Sequence, residues 1–422
     1  MKPPLTVLLG AGSTISLDPS HPTPIGMPST AEITERVIKL KFPQAVLVGT
    51  PFLQTANDRK PFAINNVTPV LQLIYRALQG TFENVNFELI LHSIEQLLPL
   101  ARMQVGAASS DQFHPAIGAF VEMQRRHELL KDWSLLRVTR ETVIDEIHSQ
   151  IQNSSLLLPL QLPLHRFVAE LATQFQLAIF TLNYDDVVDS SLEAWFDGFS
   201  GAKVASSSGE YWEAASFDAR AFEGWRNSIE PLLVHLHGSV RFGPSRQGLG
   251  LVKYRNAKEA ARAITAISGS DKTEGGQIVS ADPIISGLNK AARLTLNPAP
   301  YGYYYRALID ALLMNERLLV IGYGARDEHV NTWLGEFALQ HGEQRRVAWI
   351  GKLDGKMVGE RTPEKDWIRT LSGNKFHDAL HYARDDGPNQ LIDCGALRLG
   401  VSGFPVTPEV QSEIISFFTA RS

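Results

Sequence analysis

The chain has 422 residues, of which 44% are hydrophobic and 20% charged, and its formal net charge is -5. This composition is typical of a globular protein, and the length suits one large domain with an insertion, or two domains. The net negative charge gives no long-range attraction for nucleic acid or for an anionic membrane, so we expect direct binding to neither.

Cysteine content and hydropathy exclude further classes of protein. The one cysteine, Cys394, allows neither an internal disulfide nor a cysteine-built zinc site. The first apolar run is broken by glycine and lacks a cleavage pattern, so we interpret it as a strand and not as a signal peptide. No apolar run reaches the roughly 18 residues that a membrane helix needs, and we expect a cytoplasmic protein.

The first segment is predicted as a strand, a glycine turn and a helix. LTVLL, at residues 5–9, leads into Gly10-Ala11-Gly12-Ser13-Thr14, and a short apolar run bounded by turn residues is typical of a buried strand. A proline-rich loop from Pro19 to Pro28 is longer than a plain strand-to-helix turn needs. Ser29 with Glu32 three residues later matches a capping box that opens the helix.

The next block, residues 42–176, is predicted to be mostly helical. Apolar residues recur at helical spacing in NFELILHSIEQLL. Similar patterns predict helices at 64–79, 115–131, 139–151 and 164–175. A single crossover helix does not need so long a segment, and we therefore interpret the block as a helical insertion.

Strands return in the second half of the chain. Apolar runs predict strands at 177–182, 232–236, 317–322 and 346–350. DDVVDSSLEAWF is predicted as a helix, GFSGAKVASSSGE as a loop, and residues 327–340 as a helix that restores a β-α-β rhythm. The pattern is weak over 241–300, where GSDKTEGGQ is typical of a loop, and PEVQSEIISFF predicts a last amphipathic helix.

These elements together predict an α/β fold: a Rossmann-like doubly wound parallel sheet with a large helical insertion. Residues 1–45 and 177–350 would form the split Rossmann domain and 46–176 the insertion. Residues 351–422 would complete the fold or form an oligomer surface. Since sites in such sheets lie at the carboxyl ends of the strands, the residues that follow four of these strands are the candidates for function.

Glycines follow the first strand. Gly10-Ala11-Gly12 is a candidate cradle for phosphate, because glycine lets the backbone approach a pyrophosphate and free N–H groups favour anions. The dinucleotide fingerprint is incomplete: Ile15 stands at the third glycine position, and no acidic residue closes a second strand about 20 residues on. A hydride-transfer dehydrogenase is therefore disfavoured, and a tight structural turn is the alternative interpretation.

Polar residues follow the second and third of these strands. Asn183 could hold a water or a ribose hydroxyl, although Asn183 or Asp185 could equally cap the following helix. His235 and His237 alternate along a strand and so would share a face. His237 stands at the strand end beside Gly238 and could accept a proton, although a lone histidine is more often structural. No third residue here has metal-ligand spacing, so no metal is expected.

A second glycine turn, Gly322-Tyr323-Gly324, follows the strand at 317–322. Asp327 is well placed to cap the helix that begins at Glu328. A contact from this loop to an adenosine ribose or base is the functional alternative.

Taken together and in this order, the motifs resemble those of the SIR2 superfamily. The resemblance rests on GAGST, TLNYD, HLHGS and IGYGARD, and NFELIL is similar to an element of bacterial SIR2-like proteins. It implies an NAD-binding fold that cleaves the bond between nicotinamide and ribose. The implied roles are NAD phosphate binding by Gly10, Ala11, Gly12, Ser13 and Thr14, water or ribose positioning by Asn183, ribose support by Asp185, general base catalysis by His237 with Gly238 beside it, and adenosine contacts by Gly322, Tyr323 and Asp327.

The departures from that family matter as well. Deacylase members carry a four-cysteine zinc module, which this chain cannot build, and their acyl-peptide motif is missing. The resemblance therefore favours an NAD+ hydrolase of antiphage defence, using NAD+ as substrate and no metal, which acts as a homo-oligomer or with a HerA-like ATPase or short Argonaute partner. A deacylase or ADP-ribosyltransferase, and a non-catalytic module that senses NAD or ADP-ribose, are the alternatives.

Overall fold

The computed structural model describes most of the chain, with gaps. The described residues are 2–15, 26–40, 67–82, 84–102, 122–155, 158, 161–205, 211–244, 251–260, 284–285, 290, 299–351, 363–372, 391–393, 397–400 and 404–420. The loop GSDKTEGGQ and Cys394 lie outside this set, as do most of the proline-rich loop and the first seven residues of the helix predicted at 115–131; residues 122–126 of that segment are helical and Glu128–Lys131 form a 3-10 turn.

The strands are β1 (Pro4–Leu9), β2 (Gln176–Thr181), β3 (Phe199–Ala205), β4 (Tyr211–Phe217), β5 (Leu232–His235), β6 (Phe242–Pro244), β7 (Leu251–Tyr254), β8 (Arg317–Ile321), β9 (Arg346–Ile350), β10 (Leu391–Asp393) and β11 (Leu397–Gly400). The α-helices are α1 (Thr30–Ile38), α2 (Val67–Gln79), α3 (Phe87–Arg102), α4 (Trp133–Ser155), α5 (Pro163–Gln174), α6 (Ala219–Glu223), α7 (Tyr301–Met314), α8 (Glu328–His341), α9 (Pro363–Ser372) and α10 (Pro408–Thr419).

The main sheet has the strand order β10-β11-β9-β8-β1-β2-β5. All neighbours pair in parallel except β10, which runs antiparallel at the edge. The chain first builds outward from β1 through β2 to β5, then returns to the other side of β1 for β8, β9 and β11. This is the strand order of a Rossmann-like sheet, and its switch point lies between β1 and β8. The predicted fold class is confirmed.

Alternating side chains of the strands enter two cores, one on each face of the sheet. Leu5, Val7 and Leu9 of β1 pack in the core formed with α1 to α5 and α10. Leu8 of the same strand packs in the opposite core with α7, α8 and α9. Because both faces are covered by helices, the central strands are apolar along their whole length, which is why the sequence shows them as continuous apolar runs.

Helices α1 to α5 stand between β1 and β2 in the described part of the chain. The capping box predicted for the first is confirmed, since the Ser29 hydroxyl accepts from the Glu32 amide and the Glu32 carboxylate accepts from the Ser29 amide. The helix predicted from NFELILHSIEQLL is α3, which packs on α4. In the described residues, no helix is long and apolar enough to span a membrane.

A second, antiparallel sheet was not predicted. It has the order β3-β4-β7-β6, and β3 lies within GFSGAKVASSSGE, the segment predicted as a loop. That prediction is wrong because Phe199 pairs with Phe217 of β4 and their rings pack edge-on at 5.4 Å. Such cross-strand aromatic pairs stabilise a strand whose composition is otherwise rich in Gly and Ser.

The helix predicted from DDVVDSSLEAWF is also wrong. Only a short 3-10 turn, Val188–Ser191, forms there. The Asp189 carbonyl accepts from the Trp195 indole, and Phe196 forms a bridge with Leu232 of β5. These tertiary bonds take the chain into an extended path, against its local preference.

Candidate active site

The predicted residues meet at one edge of the main sheet. Leu9 pairs with Thr181 and with Ile321, and Thr181 pairs with His235. The residues that follow these strands therefore emerge together, so Gly10 lies beside Gly322. Asn183 and His237 stand equally far beyond the paired residues of two adjacent strands. This edge is the switch point, where doubly wound sheets bind ligands.

The two glycine turns pack directly against each other, backbone to backbone. The Gly10 amide donates to the Ile321 carbonyl and the Gly12 amide to the Gly322 carbonyl, at 2.9 and 3.0 Å. A Cβ atom on Gly10 would lie 2.6 Å from the Gly322 oxygen. One on Gly322, whose φ is +66°, would lie 2.2 Å from the Ser13 nitrogen. Glycine is thus required here for the contact between the loops, whatever the loops bind.

Most backbone amides of the first glycine turn are already used. Gly10 and Gly12 donate across to the second turn, while Ser13, Thr14 and Ile15 donate to Gly10 or Ala11 carbonyls. The turn Ala11–Ser13 is a 3-10 turn and not the start of an α-helix. Recognition of a phosphate by this segment would therefore depend on the Ala11 amide and on hydroxyl groups, instead of on a row of free amides.

Asn183 is held by the hydroxyls of the first turn. Its Nδ2 donates to Ser13 Oγ at 3.1 Å and to Thr14 Oγ1 at 3.2 Å. The side chain is buried, and within the described structure its Oδ1 accepts no hydrogen bond. A buried carboxamide oxygen without a donor is costly, and it is suited to accept from a water or a hydroxyl group of a ligand.

Asp185 supports the same group of side chains. Its carboxylate accepts from Thr14 Oγ1 at 2.9 Å and from the Val187 amide at 3.2 Å. The second bond is the only part of the expected helix cap that forms, because no α-helix follows. Burial raises the pKa of Asp185 to about 6, against the hydrogen bonds from Thr14 and Val187, which lower it.

His237 belongs to a buried cluster with His329 and Asp327. Its Nε2 lies 3.1 Å from His329 Nε2 and 3.8 Å from Asp327 Oδ1. Strand β5 ends at His235, and Gly238, at φ +92°, turns the chain back so that its amide donates to the His235 carbonyl. The predicted alternation of His235 and His237 along one strand is therefore wrong.

Both histidines of this cluster are neutral at physiological pH. Burial holds the pKa of His237 well below its usual range, and the nearby Lys290 ammonium lowers it further, against the Asp327 carboxylate. Burial lowers the pKa of His329 to about 4. For Asp327 burial opposes ionisation, but its interactions with His237 and with the Lys290 ammonium outweigh burial and lower its pKa to about 2. His237 is thus unprotonated and available as an acceptor.

Asp327 does not cap α8 with its side chain, although it stands at the N-cap position. Its Oδ1 accepts instead from Lys290 Nζ at 2.9 Å. Lys290 also donates to Glu88 at 3.2 Å, and Tyr184 Oη donates to the same carboxylate at 3.1 Å. Burial disfavours the Lys290 ammonium, but Glu88 and Asp327 raise its pKa above the usual value. Through Glu88, helix α3 reaches the site.

The side chain of Tyr323 is part of the loop's own packing. It is buried, its hydroxyl donates to Asn331 Oδ1 at 2.8 Å, and its ring packs on Trp349. Asn331 Nδ2 in turn donates to the carbonyl of Ala325, which has φ +51°. These buried contacts fix the second glycine turn. Since the Tyr323 side chain is used in them, the turn would contact a ligand through its backbone.

His235 has different partners from His237. Its Nε2 lies 2.8 Å from Asp189 Oδ2 and its Nδ1 3.4 Å from the Asn183 carbonyl. Asp189 also accepts from Arg241 and Lys253, each at 2.8 Å. A cavity of about 550 Å³ opens beside this ion cluster, and its lining includes neither Asn183 nor His237.

Three residues of the site had no signal strong enough to single them out. Lys290 lies within 241–300, the segment of weak pattern, and Glu88 was noticed only as a letter of NFELIL. His329 lies two residues after Asp327 at a strand-end turn, a D-x-H spacing that could have marked it. The expectation that no third residue has metal-ligand spacing rested on residues close to His237 in the sequence. In the fold, ligand atoms of Asp327 and His329 lie within 4.8 Å of one of His237.

The fold and the polar edge define an α/β protein of the nucleotide-binding, Rossmann-like class. A model of the SIR2-like domain matches residues 177–370, which include Asn183, His237 and Asp327. The match supports a place in the sirtuin-like superfamily. Since SIR2-like domains use NAD+ as substrate, the match also indicates an NAD-related activity. No curated protein matches the chain.

Proposed function

We propose that the protein is an NAD+ hydrolase that gives nicotinamide and ADP-ribose. The observation that carries the proposal is Asn183, whose amide group is fixed by Ser13 and Thr14 while its buried oxygen has no donor among the described residues. This oxygen is placed to orient an attacking water. It lies at the carboxyl edge where a Rossmann-like sheet binds its nucleotide.

The reaction needs placement and charge stabilisation more than a strong acid. The bond between the nicotinamide nitrogen and C1′ of the ribose breaks with its electron pair going to the nitrogen, so the positive pyridinium leaves as neutral nicotinamide. Water adds to C1′ and loses one proton. His237, neutral and in contact with a second imidazole, is the acceptor we assign, and a general base of this kind contributes about 10²- to 10⁴-fold.

The resemblance to bacterial SIR2-like defence proteins also suggests a role for the activity in the cell. NAD+ depletion would then serve abortive infection, with activity controlled by homo-oligomerisation or by a HerA-like ATPase or short Argonaute. Turnover should accordingly be measured over a range of protein concentrations, and with the product of any neighbouring gene. A gain of activity on adding that product would identify the regulator.

Mass-resolved NAD+ turnover tests the function. We expect release of nicotinamide and ADP-ribose by the purified chain or its complex, and loss of at least 100-fold in Asn183→Ala and His237→Ala with unchanged thermal unfolding. Asn256→Ala, at an exposed position, and His127→Ala, at a half-buried one, are the matched controls and should keep full activity.

Three other outcomes would overturn the proposal. Undiminished nicotinamide release from either site variant would contradict the role assigned to the substituted residue. NAD+ binding without any product, alone and with the neighbouring gene product, would favour a sensing module, and acyl transfer from a peptide panel would favour a deacylase.

A further inference from the structure

Three donor groups that are far apart in the chain converge at the site. His237 lies in the turn after β5, Asp327 precedes α8, and His329 is in its first turn. One ligand atom from each lies within 4.8 Å of the other two. All three side chains are buried or nearly so. We propose that they bind one divalent transition-metal ion of the type of Zn²⁺.

The spacing of the donors fits one ion. Metal–nitrogen bonds of about 2.0–2.1 Å place two nitrogens at roughly 2.9–3.4 Å from each other when the angle at the metal is between octahedral and tetrahedral. The observed separation of the two Nε2 atoms is 3.1 Å. Asp327 Oδ1, 3.8 Å from His237 Nε2, needs to approach by only a few tenths of an ångström or to bind at a wider angle.

The surroundings of the cluster also suit a metal ligand set. Two imidazoles and one carboxylate are a known donor set for divalent transition metals, and they leave coordination positions open. The Tyr305 hydroxyl donates to the His329 carbonyl at 3.0 Å, which fixes the backbone from which the second ligand projects.

Lys290 is the group that a metal must displace. Its ammonium lies 2.9 Å from Asp327 Oδ1 and neutralises that carboxylate in the metal-free protein. Glu88 offers the same ammonium a second anionic partner at 3.2 Å. On metal binding, Lys290 can therefore keep a counter-ion while Asp327 turns to the metal. The cost of this exchange, and the repulsion between the two cations, weaken binding compared with an isolated ligand set.

Metal binding has one consequence for catalysis, and this consequence alone rests on the proposed function. A bound ion occupies the Nε2 of His237, which is then unable to accept a proton. Metal occupancy and NAD+ cleavage should therefore exclude each other. Binding itself is measured without NAD+, so a failure of the proposed function and a failure of the metal site give different results.

Titration of the chelator-treated full chain with Co²⁺ and Zn²⁺ tests the proposal. We expect one ion per chain, with Co²⁺ giving visible absorption bands that Zn²⁺ abolishes by displacement. His329→Gln and Asp327→Asn should each weaken binding at least tenfold. His127→Gln, at a half-buried position outside the cluster, is the control and should bind like the wild type.

A variant that binds metal more tightly than the wild type excludes misfolding as the reason for changed affinity. Lys290→Gln removes the competing cation, so it should bind Zn²⁺ at least several-fold more tightly than the wild type. The proposal is overturned if the wild-type chain binds no stoichiometric ion, or if affinity is unchanged in both His329→Gln and Lys290→Gln.

Discussion

Asp185 is a buried carboxyl group whose ionisation the fold opposes. Its pKa is raised to about 6 by burial, from an ordinary value of 3.8, which corresponds to a cost of up to about 3 kcal/mol when it is ionised at neutral pH. Asp185→Asn removes that charge and keeps an acceptor for the Val187 amide. We therefore expect the variant to unfold at a higher temperature than the wild type at pH 7.5.

The pH dependence of this gain has a definite sign. Since the folded pKa of Asp185 lies above the unfolded one, the wild type loses stability as pH rises from about 4 to about 6. The advantage of the variant should grow over the same window and then level off. Thermal unfolding from pH 4 to 8 measures it, and Asp366→Asn, at an exposed position, should show no such trend. A gain that increases toward acid pH would contradict the interpretation.

Residues of the site differ in how far their roles could be predicted. Asn183 and His237 were found because they directly follow apolar runs, where the sheet dictates the position of the next side chains. Asp327 was found too, but its side chain was expected to cap α8. The choice between a local cap and a distant partner depends on Lys290, 37 residues earlier, and local sequence carries no information on such a contact.

At the scale of single elements, helix α3 connects the helices between β1 and β2 with the site. Glu88 in its first turn holds Lys290 beside Asp327, whereas Glu95, further along the same helix, pairs with Arg140 of α4 at 3.3 Å. Both pairs are largely shielded from water, but only the first one touches the site. The helix thus offers two comparable ion pairs with different expected consequences.

Glu88→Gln should lower both stability and activity, because it leaves Lys290 with one anionic partner. Loss of a buried partner costs about 3–5 kcal/mol at most, and we expect kcat for NAD+ cleavage to fall at least tenfold with little change in KM. Glu95→Gln should lower stability alone. Chemical denaturation with steady-state kinetics on both variants measures the difference, and equal activity losses would show that α3 acts only through the fold.

Elements were predictable where both faces of a strand are buried. Five of the six parallel strands follow apolar runs and were predicted, whereas β11, with Arg398 in its sequence LRLG, was not. Helix α3 shows its period because one face packs in the core that it shares with α1, α2, α4 and α5. The small sheet was missed because β3 is rich in Gly and Ser and depends on aromatic partners in β4. The helix expected after Asn183 was wrong for a similar reason, since Asp189 has tertiary partners that no local pattern reveals.

At the scale of the whole molecule, one buried carboxylate connects the two sheets. The side chain of Asp189 is 5% exposed, and its carboxylate accepts from His235 of β5 in the main sheet and from Lys253 of β7 in the small sheet. Arg241, which precedes β6, is its third partner. Burial opposes ionisation of Asp189, but Lys253 and His235 outweigh it and hold its pKa well below the usual value. The group therefore stabilises the fold above about pH 4 and ceases to do so as pH falls further.

Asp189→Asn should separate the stability of the two sheets. It keeps the shape of the side chain but leaves Arg241 without this carboxylate and Lys253 with Asp197 as its remaining anionic partner, so we expect a loss of about 3–5 kcal/mol at neutral pH. Because this ion cluster is one of the contacts that join the small sheet to the main one, beside the apolar core that they share, hydrogen exchange should accelerate more in β3, β4 and β7 than in β1 and β8. Glu193→Gln, an exposed acid that lines the same cavity, should leave exchange unchanged. Uniform acceleration across both sheets would instead mean that they unfold as a single cooperative unit.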